Sequence, residues 1–286
     1  MSKELSELLS LFKEKKFSLA EKKCFKLIKK IKPNHEIFNI YAVILFELNN
    51  YDDAIKYWKK SIELNQKYFF GFNNLGNVYL KKNEFQTALK YYDKATEIKI
   101  DYFEAFHNKG NVFSKMNDLT NALKNYDKAL KIKSDYLPSI KGKSDIYVKQ
   151  KTFDKAILEL EKILIYEPNN INSYIQKADI LSQQNKFREA IDNYEIAYDL
   201  NPDHPFLLGD MIHAKAKICD WKNIDEKVKK LEKNILNKKE SSPPFTASTL
   251  FDSPKLLYEV AKIWQAHFKI ERKEEKKFIK TNKKKN

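Results

Sequence analysis

Asn74-Leu75-Gly76-Asn77-Val78-Tyr79 is matched 34 residues later by Asn108-Lys109-Gly110-Asn111-Val112-Phe113. Downstream, Ala88-Leu89-Lys90-Tyr91-Tyr92-Asp93-Lys94-Ala95 is answered at the same spacing by Ala122-Leu123-Lys124-Asn125-Tyr126-Asp127-Lys128-Ala129. Carried in both directions, the period returns one small residue each time: Ala20, Ala54, Ala88, Ala122, Ala156 and Ala190. Three positions before each stands Phe17, Tyr51, Phe85, Leu119, Phe153 or Phe187. Four positions after come Cys24, Trp58, Tyr92, Tyr126, Leu160 and Tyr194, and three further on Leu27, Ser61, Ala95, Ala129, Ile163 and Ala197. A spacing of i, i+3, i+7, i+10 is one stripe on a helix. Pro168 and Pro202 close two of the periods, where a helix must stop, and Pro33 closes the first one position late.

Each period therefore reads as a helical hairpin. The small residue lets two helices approach, the aromatic fills the space beside it, and each hairpin buries its remaining face on the next. These residues resemble the tetratricopeptide-repeat (TPR) family. The expected fold is all-α, a right-handed α-solenoid of TPR hairpins followed by a short helical C-terminal extension. Six repeats fit without a break in phase: 1–34, 35–68, 69–102, 103–136, 137–170 and 171–204. Ala42 and Ser144 replace the glycine in the second and fifth repeats and are small enough for the same contact.

Composition excludes several classes. The five glycines (Gly71, Gly76, Gly110, Gly142 and Gly209) form no phosphate-cradling cluster. The two cysteines, Cys24 and Cys219, and the five histidines are scattered, so no metal site, disulfide framework or catalytic constellation is expected, and no cofactor. His107 lies on a groove-lining helix and reads as a solvated or core histidine. No apolar run reaches membrane-span length and the first residues carry no signal peptide, so a cytoplasmic protein without membrane contact is expected. The net charge is +15, but acidic and basic residues alternate along most of the chain and read as solvated helix faces, not a nucleic-acid surface.

In the resembled family the first helix of each hairpin lines a concave groove that takes peptide segments. Residues around the glycine position face it: Asn73, Asn74, Asn77, Asn108 and Asn111, then Asp145, Gln176 and Asp179. Asparagine carries a donor and an acceptor together, suited to a peptide backbone. The ladder is incomplete, because Ile40 and Gly142 occupy the Asn74 position in the second and fifth repeats. Protein or peptide partners are the expectation.

Beyond Pro205 the period weakens, and 205–238 reads as a divergent capping hairpin, with Cys219 and Trp221 expected in its core. Residues 239–253 form a Pro-containing linker, 254–268 an amphipathic helix bearing Leu257, Val260, Ala261, Trp264 and Phe268, and 269–286 a basic tail expected to be disordered. Cys219-Asp220-Trp221, the following Ile224-Asp225-Glu226 and Pro243-Pro244-Phe245 resemble the junction after the repeats of SPINDLY-like O-linked N-acetylglucosamine transferases. That resemblance implies a substrate-recruiting arm whose UDP-GlcNAc-dependent catalytic domain lies outside this chain. No catalytic residue is carried over, and whether the chain serves an enzyme is left open. The alternative is a stand-alone TPR scaffold or adaptor. A nucleic-acid-binding solenoid ranks third, and the oligomeric state is open.

Overall fold

The computed structural model describes the backbone of residues 3–30 and 32–283, and the surroundings of side chains as far as residue 268. Among these residues there are sixteen α-helices and no strand. Fourteen of them run in chain order as seven helix–turn–helix units. These are α1 (Lys3–Lys13) with α2 (Phe17–Lys30), α3 (His35–Glu47) with α4 (Tyr51–Leu64), α5 (Phe69–Lys81) with α6 (Phe85–Ile98), α7 (Phe103–Lys115) with α8 (Leu119–Ile132), α9 (Leu137–Lys149) with α10 (Phe153–Tyr166), α11 (Ile171–Gln183) with α12 (Phe187–Leu200), and α13 (Leu207–Lys217) with α14 (Ile224–Leu236). A short α15 (Pro244–Leu250) and a long α16 (Pro254–Lys283) follow.

One backbone device makes every hairpin turn. Lys15, Asn49, Asn83, Asn117, Lys151, Asn185 and Cys219 all have positive φ, and each lies 34 residues after the last. The next residue's N–H reaches five residues back, as in Glu84 N to Tyr79 O (2.8 Å) and Asp118 N to Phe113 O (2.9 Å). This is the Schellman ending, in which a left-handed residue lets the last carbonyls of the helix find donors. Asparagine tolerates that conformation best after glycine, hence its use at four of the seven turns. The seventh member, Cys219, shows that the hairpin after Pro205 keeps the period. Cys219 is exposed and Trp221 is 60% exposed, so neither is the core residue the sequence suggested. A residue committed to a left-handed turn projects away from the packed face. Ile224, Leu231 and Ile235 supply the apolar stripe instead.

The chain divides into two compact units, Met1–Ile146 and Tyr147–Asn286. In the first, Ala20, Ala54, Ala88 and Ala122 are fully buried, with Trp58, Tyr92 and Tyr126 closing the space beside them. Lys109 on α7 pairs with Asp93 on α6, and Lys143 on α9 repeats the pairing with Asp127 on α8 at 2.8 Å. In the second unit Ala156 and Ala190 are fully buried. There Lys177 on α11 pairs with Glu161 on α10, again at 2.8 Å. A single apolar cluster then joins Tyr194 and Ala197 to Leu207, Met211 and Ile212, and onward to Ala247 on α15 and Val260 on α16. The extension is thus packed onto the last hairpins. The helix of α16 continues to Lys283, past the Phe268 limit expected from its apolar stripe, because residues 269–283 contain neither Gly nor Pro and are rich in Lys and Glu. The remainder of the expected tail, 284–286, lies outside the described residues.

Candidate functional site

Residues four and seven apart share a face of a helix. On α5 that rule gathers Phe70, Asn74 and Asn77, and on α7 Glu104, Asn108 and Asn111. The structure ties these asparagines into two families of hydrogen bonds that follow the period. Between hairpins, Asn74 Nδ2 donates to Asn39 Oδ1 and Asn108 Nδ2 to Asn73 Oδ1, each at 3.0 Å. Within a hairpin, the hydroxyl of Tyr92 donates to Asn77 Oδ1 and that of Tyr126 to Asn111 Oδ1, each at 2.7 Å. Burial pushes the Tyr126 phenol up to about 12, so it is a donor at neutral pH.

These bonds fix which half of each amide is engaged. Asn74 and Asn108 use an N–H and keep their carbonyl oxygens without a partner among the described residues. Asn77 uses its oxygen and keeps its N–H₂. Acceptor and donor therefore alternate along the face, and the rotamers are already set. Asn73 is nearly buried (6% exposed) and serves chiefly to hold Asn108. Asn111 is engaged at both ends, because its N–H₂ donates to His107 Nε2 at 3.0 Å. That fixes the His107 tautomer: Nε2 accepts, and Nδ1–H donates to Ser139 Oγ at 3.0 Å. Burial lowers His107 to about 4, so the ring is neutral and belongs to the packing, not to a titrating site. The inter-hairpin asparagine series ends at Gly142, which has no side chain. A Cβ there would lie 2.6 Å from Tyr126 Cζ.

Asp145 stands exposed on α9. In the second unit, Gln176 and Asp179 are partly buried on α11. Asp179 Oδ1 accepts from the Tyr194 hydroxyl at 2.6 Å, and burial raises its carboxyl pKa. Thus the tyrosine that fills the hairpin in three repeats also binds the polar residue 15 positions before it.

Sequence reasoning missed Asn39, which accepts from both Asn74 and the Trp58 indole N–H (2.9 Å), although it lies 34 residues before Asn73. It also missed Asp210 and His213, the same two register positions one period after Gln176 and Asp179. At these two positions the structure seats a peptide segment, the chain's own α15. Thr246 Oγ1 donates to Asp210 Oδ1 at 3.4 Å. Thr249 Oγ1 spends its proton on Thr246 O, so His213 Nδ1–H donates to Thr249 Oγ1 at 3.1 Å. The ring of Phe245 meets His213 edge to face. Upstream, Glu240 O and Ser241 O accept from Phe206 N and Gly209 N, which closes the first turn of α13.

Among the described residues no group of three or more His, Cys, Asp or Glu could hold a metal ion, and no helix is long and apolar enough to cross a membrane.

Models of the tetratricopeptide repeat match residues 35–101, 103–136 and 171–204. No curated protein matches the chain. Among solved structures, the C-terminal part of a TPR repeat-containing protein from Cytophaga hutchinsonii is 18% identical, with a TM-score of 0.60 over 91% of this chain and 92% of that one. A tetratricopeptide repeat protein from Parabacteroides merdae is 14% identical, with a TM-score of 0.57 over 91% and 96% of the two chains. A chain of the APC/C hetero-tetramer Cut9–Hcn1 is 16% identical, with a TM-score of 0.60 over 74% and 42%. At these identities the likeness is one of fold. The chain carries tetratricopeptide repeats in an all-α solenoid.

Proposed function

We propose that this chain is a protein-interaction module that binds extended or short helical peptide segments through its first-helix faces, with Asn74, Asn77 and Asn108 as the principal polar contacts in the first unit. One observation carries the reading. Asp210 and His213, in register with Asn74 and Asn77, hold a peptide segment by side-chain hydrogen bonds. The tetratricopeptide fold supports it, since such repeats are interaction modules as a class. Preset rotamers lower the entropy cost of binding. Phe70, 44% exposed and one turn before Asn74, adds apolar surface for a partner side chain. Asp145, Gln176 and Asp179 are secondary contacts in this reading, Asp179 least, because its oxygen already serves Tyr194.

A role as the recruiting arm of an O-GlcNAc transferase-like enzyme rests on the residue resemblance at Cys219-Asp220-Trp221, Ile224-Asp225-Glu226 and Pro243-Pro244-Phe245. The first of these segments has its own structural task. Asp220 accepts from Lys215 Nζ at 3.1 Å and from Lys222 N at 3.2 Å, and Lys215 also pairs with Glu195. The stand-alone scaffold is the reading we prefer. The test is selection of peptides from a displayed library on the full chain, followed by hydrogen-exchange mapping of the winners. Protection on α5 and α7 is the expected result. Peptides that protect only other surfaces would overturn the proposal.

A further inference from the structure

We propose that the segment from Glu240 to Leu250 is an exchangeable internal ligand of the seventh hairpin, and that the face it covers also takes a partner's short helix of the same chemistry, an aromatic residue followed at once by threonine and again three residues later. This rests on the reading that these register positions bind peptide segments.

Three observations separate a seated ligand from ordinary core. The contacts are polar and specific: two threonine hydroxyls, three residues apart, meet Asp210 and His213. The segment is seated by a few points. Ser241, Ser242, Thr246 and Ala247 are buried, Ala247 within the apolar cluster, whereas Ser248 and Thr249 are exposed and Phe245 is 73% exposed and leans on His213 by its edge. The receiving helix is also shaped for a backbone to pass. Gly209 has ordinary negative φ, so the backbone does not require a glycine. A Cβ there would lie 2.8 Å from Ser242 Cα and 2.5 Å from Ser242 Oγ. Within a helix alanine is otherwise the better residue. Glycine at 209 therefore serves the approach of the segment, not the helix. Non-helical residues stand on either side of α15, so its lifting requires no unwinding of α14 or α16, only release of the Glu240 contacts with Phe206 and His267 and of Phe251 from the apolar cluster.

An internal ligand competes at the high effective concentration of a short tether. A fluorescent peptide of the sequence Glu240–Phe251 would therefore bind wild-type chain weakly. The full chain carrying Thr246→Ala and Thr249→Ala should bind that peptide at least about fivefold more tightly, because the internal copy has lost two hydrogen bonds. Gly209→Ala blocks the face to both copies and should abolish binding even in the Thr246→Ala, Thr249→Ala background. A peptide with both threonines replaced should not bind the variant. Equal binding to wild type and variant, or no binding to a variant whose circular dichroism is native, overturns the proposal. Native-state hydrogen exchange gives an answer independent of any variant. The amides of 247–251 should exchange through a local opening well below the global barrier, and protection equal to that of α12 would contradict the idea. Failure here leaves the α5 and α7 mapping in the first unit untouched, so the two readings can fail separately.

Discussion

Gly110 on α7 lies against the ring of Tyr126 on α8, so close that a Cβ on the glycine would stand 2.5 Å from Tyr126 Cε1. Gly76 and Tyr92 repeat the relationship one period earlier at the same distance. Helix propensity alone favours alanine over glycine by about 1 kcal/mol. Packing reverses the sign, because the ring is buried and its hydroxyl is anchored to Asn111. Gly110→Ala should therefore destabilise the chain by about 1–3 kcal/mol. Chemical denaturation of the variant would show it. A gain in stability would mean that the ring yields.

Asn39 holds two donors, the Trp58 indole and the Asn74 amide. Trp58 is 1% exposed, so replacing Asn39 by alanine strands a buried N–H. The expected cost is about 1–3 kcal/mol. Asn74→Ala removes only a partly buried amide and should cost well under half as much. Equal losses in urea melts would show that the indole finds another acceptor.

Lys151 sits at φ 57, in the left-handed turn between α9 and α10. A side chain costs roughly 1–2 kcal/mol there, partly offset by the greater freedom of an unfolded glycine. Lys151→Gly should raise stability by about 0.5–1 kcal/mol. An unchanged or lower denaturation midpoint would contradict this account of the turns.

Asp210 supplies a pH dependence whose sign can be worked out. Burial first, then the neighbouring Asp179, pushes its carboxyl up from 3.8 to about 7. The native state therefore binds more protons than the unfolded chain between those values. The contribution is complete below 3.8 and lost as pH rises through about 7. Asp179 on α11, also raised by burial, acts in the same direction. His213 on α13, lowered by burial and by Lys217, acts oppositely and loses its contribution as pH falls below its ordinary 6.5. Asp210→Asn removes only the first effect and keeps an acceptor for Thr246. The stability gap between variant and wild type should widen in the variant's favour from pH 5 to pH 8. A gap independent of pH would show that Asp210 is ionised throughout.

The fold was legible because burial and sequence share one period. All six alanines of the series are fully buried, and the aromatics four residues on lie beside them. The bonding of the polar residues was not legible. Asn77, Asn111 and Asp179 were expected to face a groove, and each already accepts from a tyrosine 15 residues ahead. Those tyrosines read from sequence as core rings, and nothing in a periodic pattern tells where a hydroxyl will point. Cys219 and Trp221 were misplaced for the opposite reason: their apolar character suggested burial, while the left-handed turn at Cys219 turns them outward. The continued register of Asp210 and His213 was open to inspection, but the aliphatic Ile224, Val228 and Leu231 in place of the alanine–aromatic–alanine stripe concealed it.

The most direct test titrates a library-selected peptide against the full chain and against its Asn77→Ala, Asn108→Ala double variant, by calorimetry. Two hydrogen bonds to side chains are worth about 1–3 kcal/mol together, so affinity should fall roughly 5- to 150-fold, while loss of the acceptor for the buried Tyr92 hydroxyl lowers the thermal melt without unfolding the chain at the titration temperature. Unchanged affinity in a folded double variant would contradict the claim that this asparagine face is where the protein holds its partners.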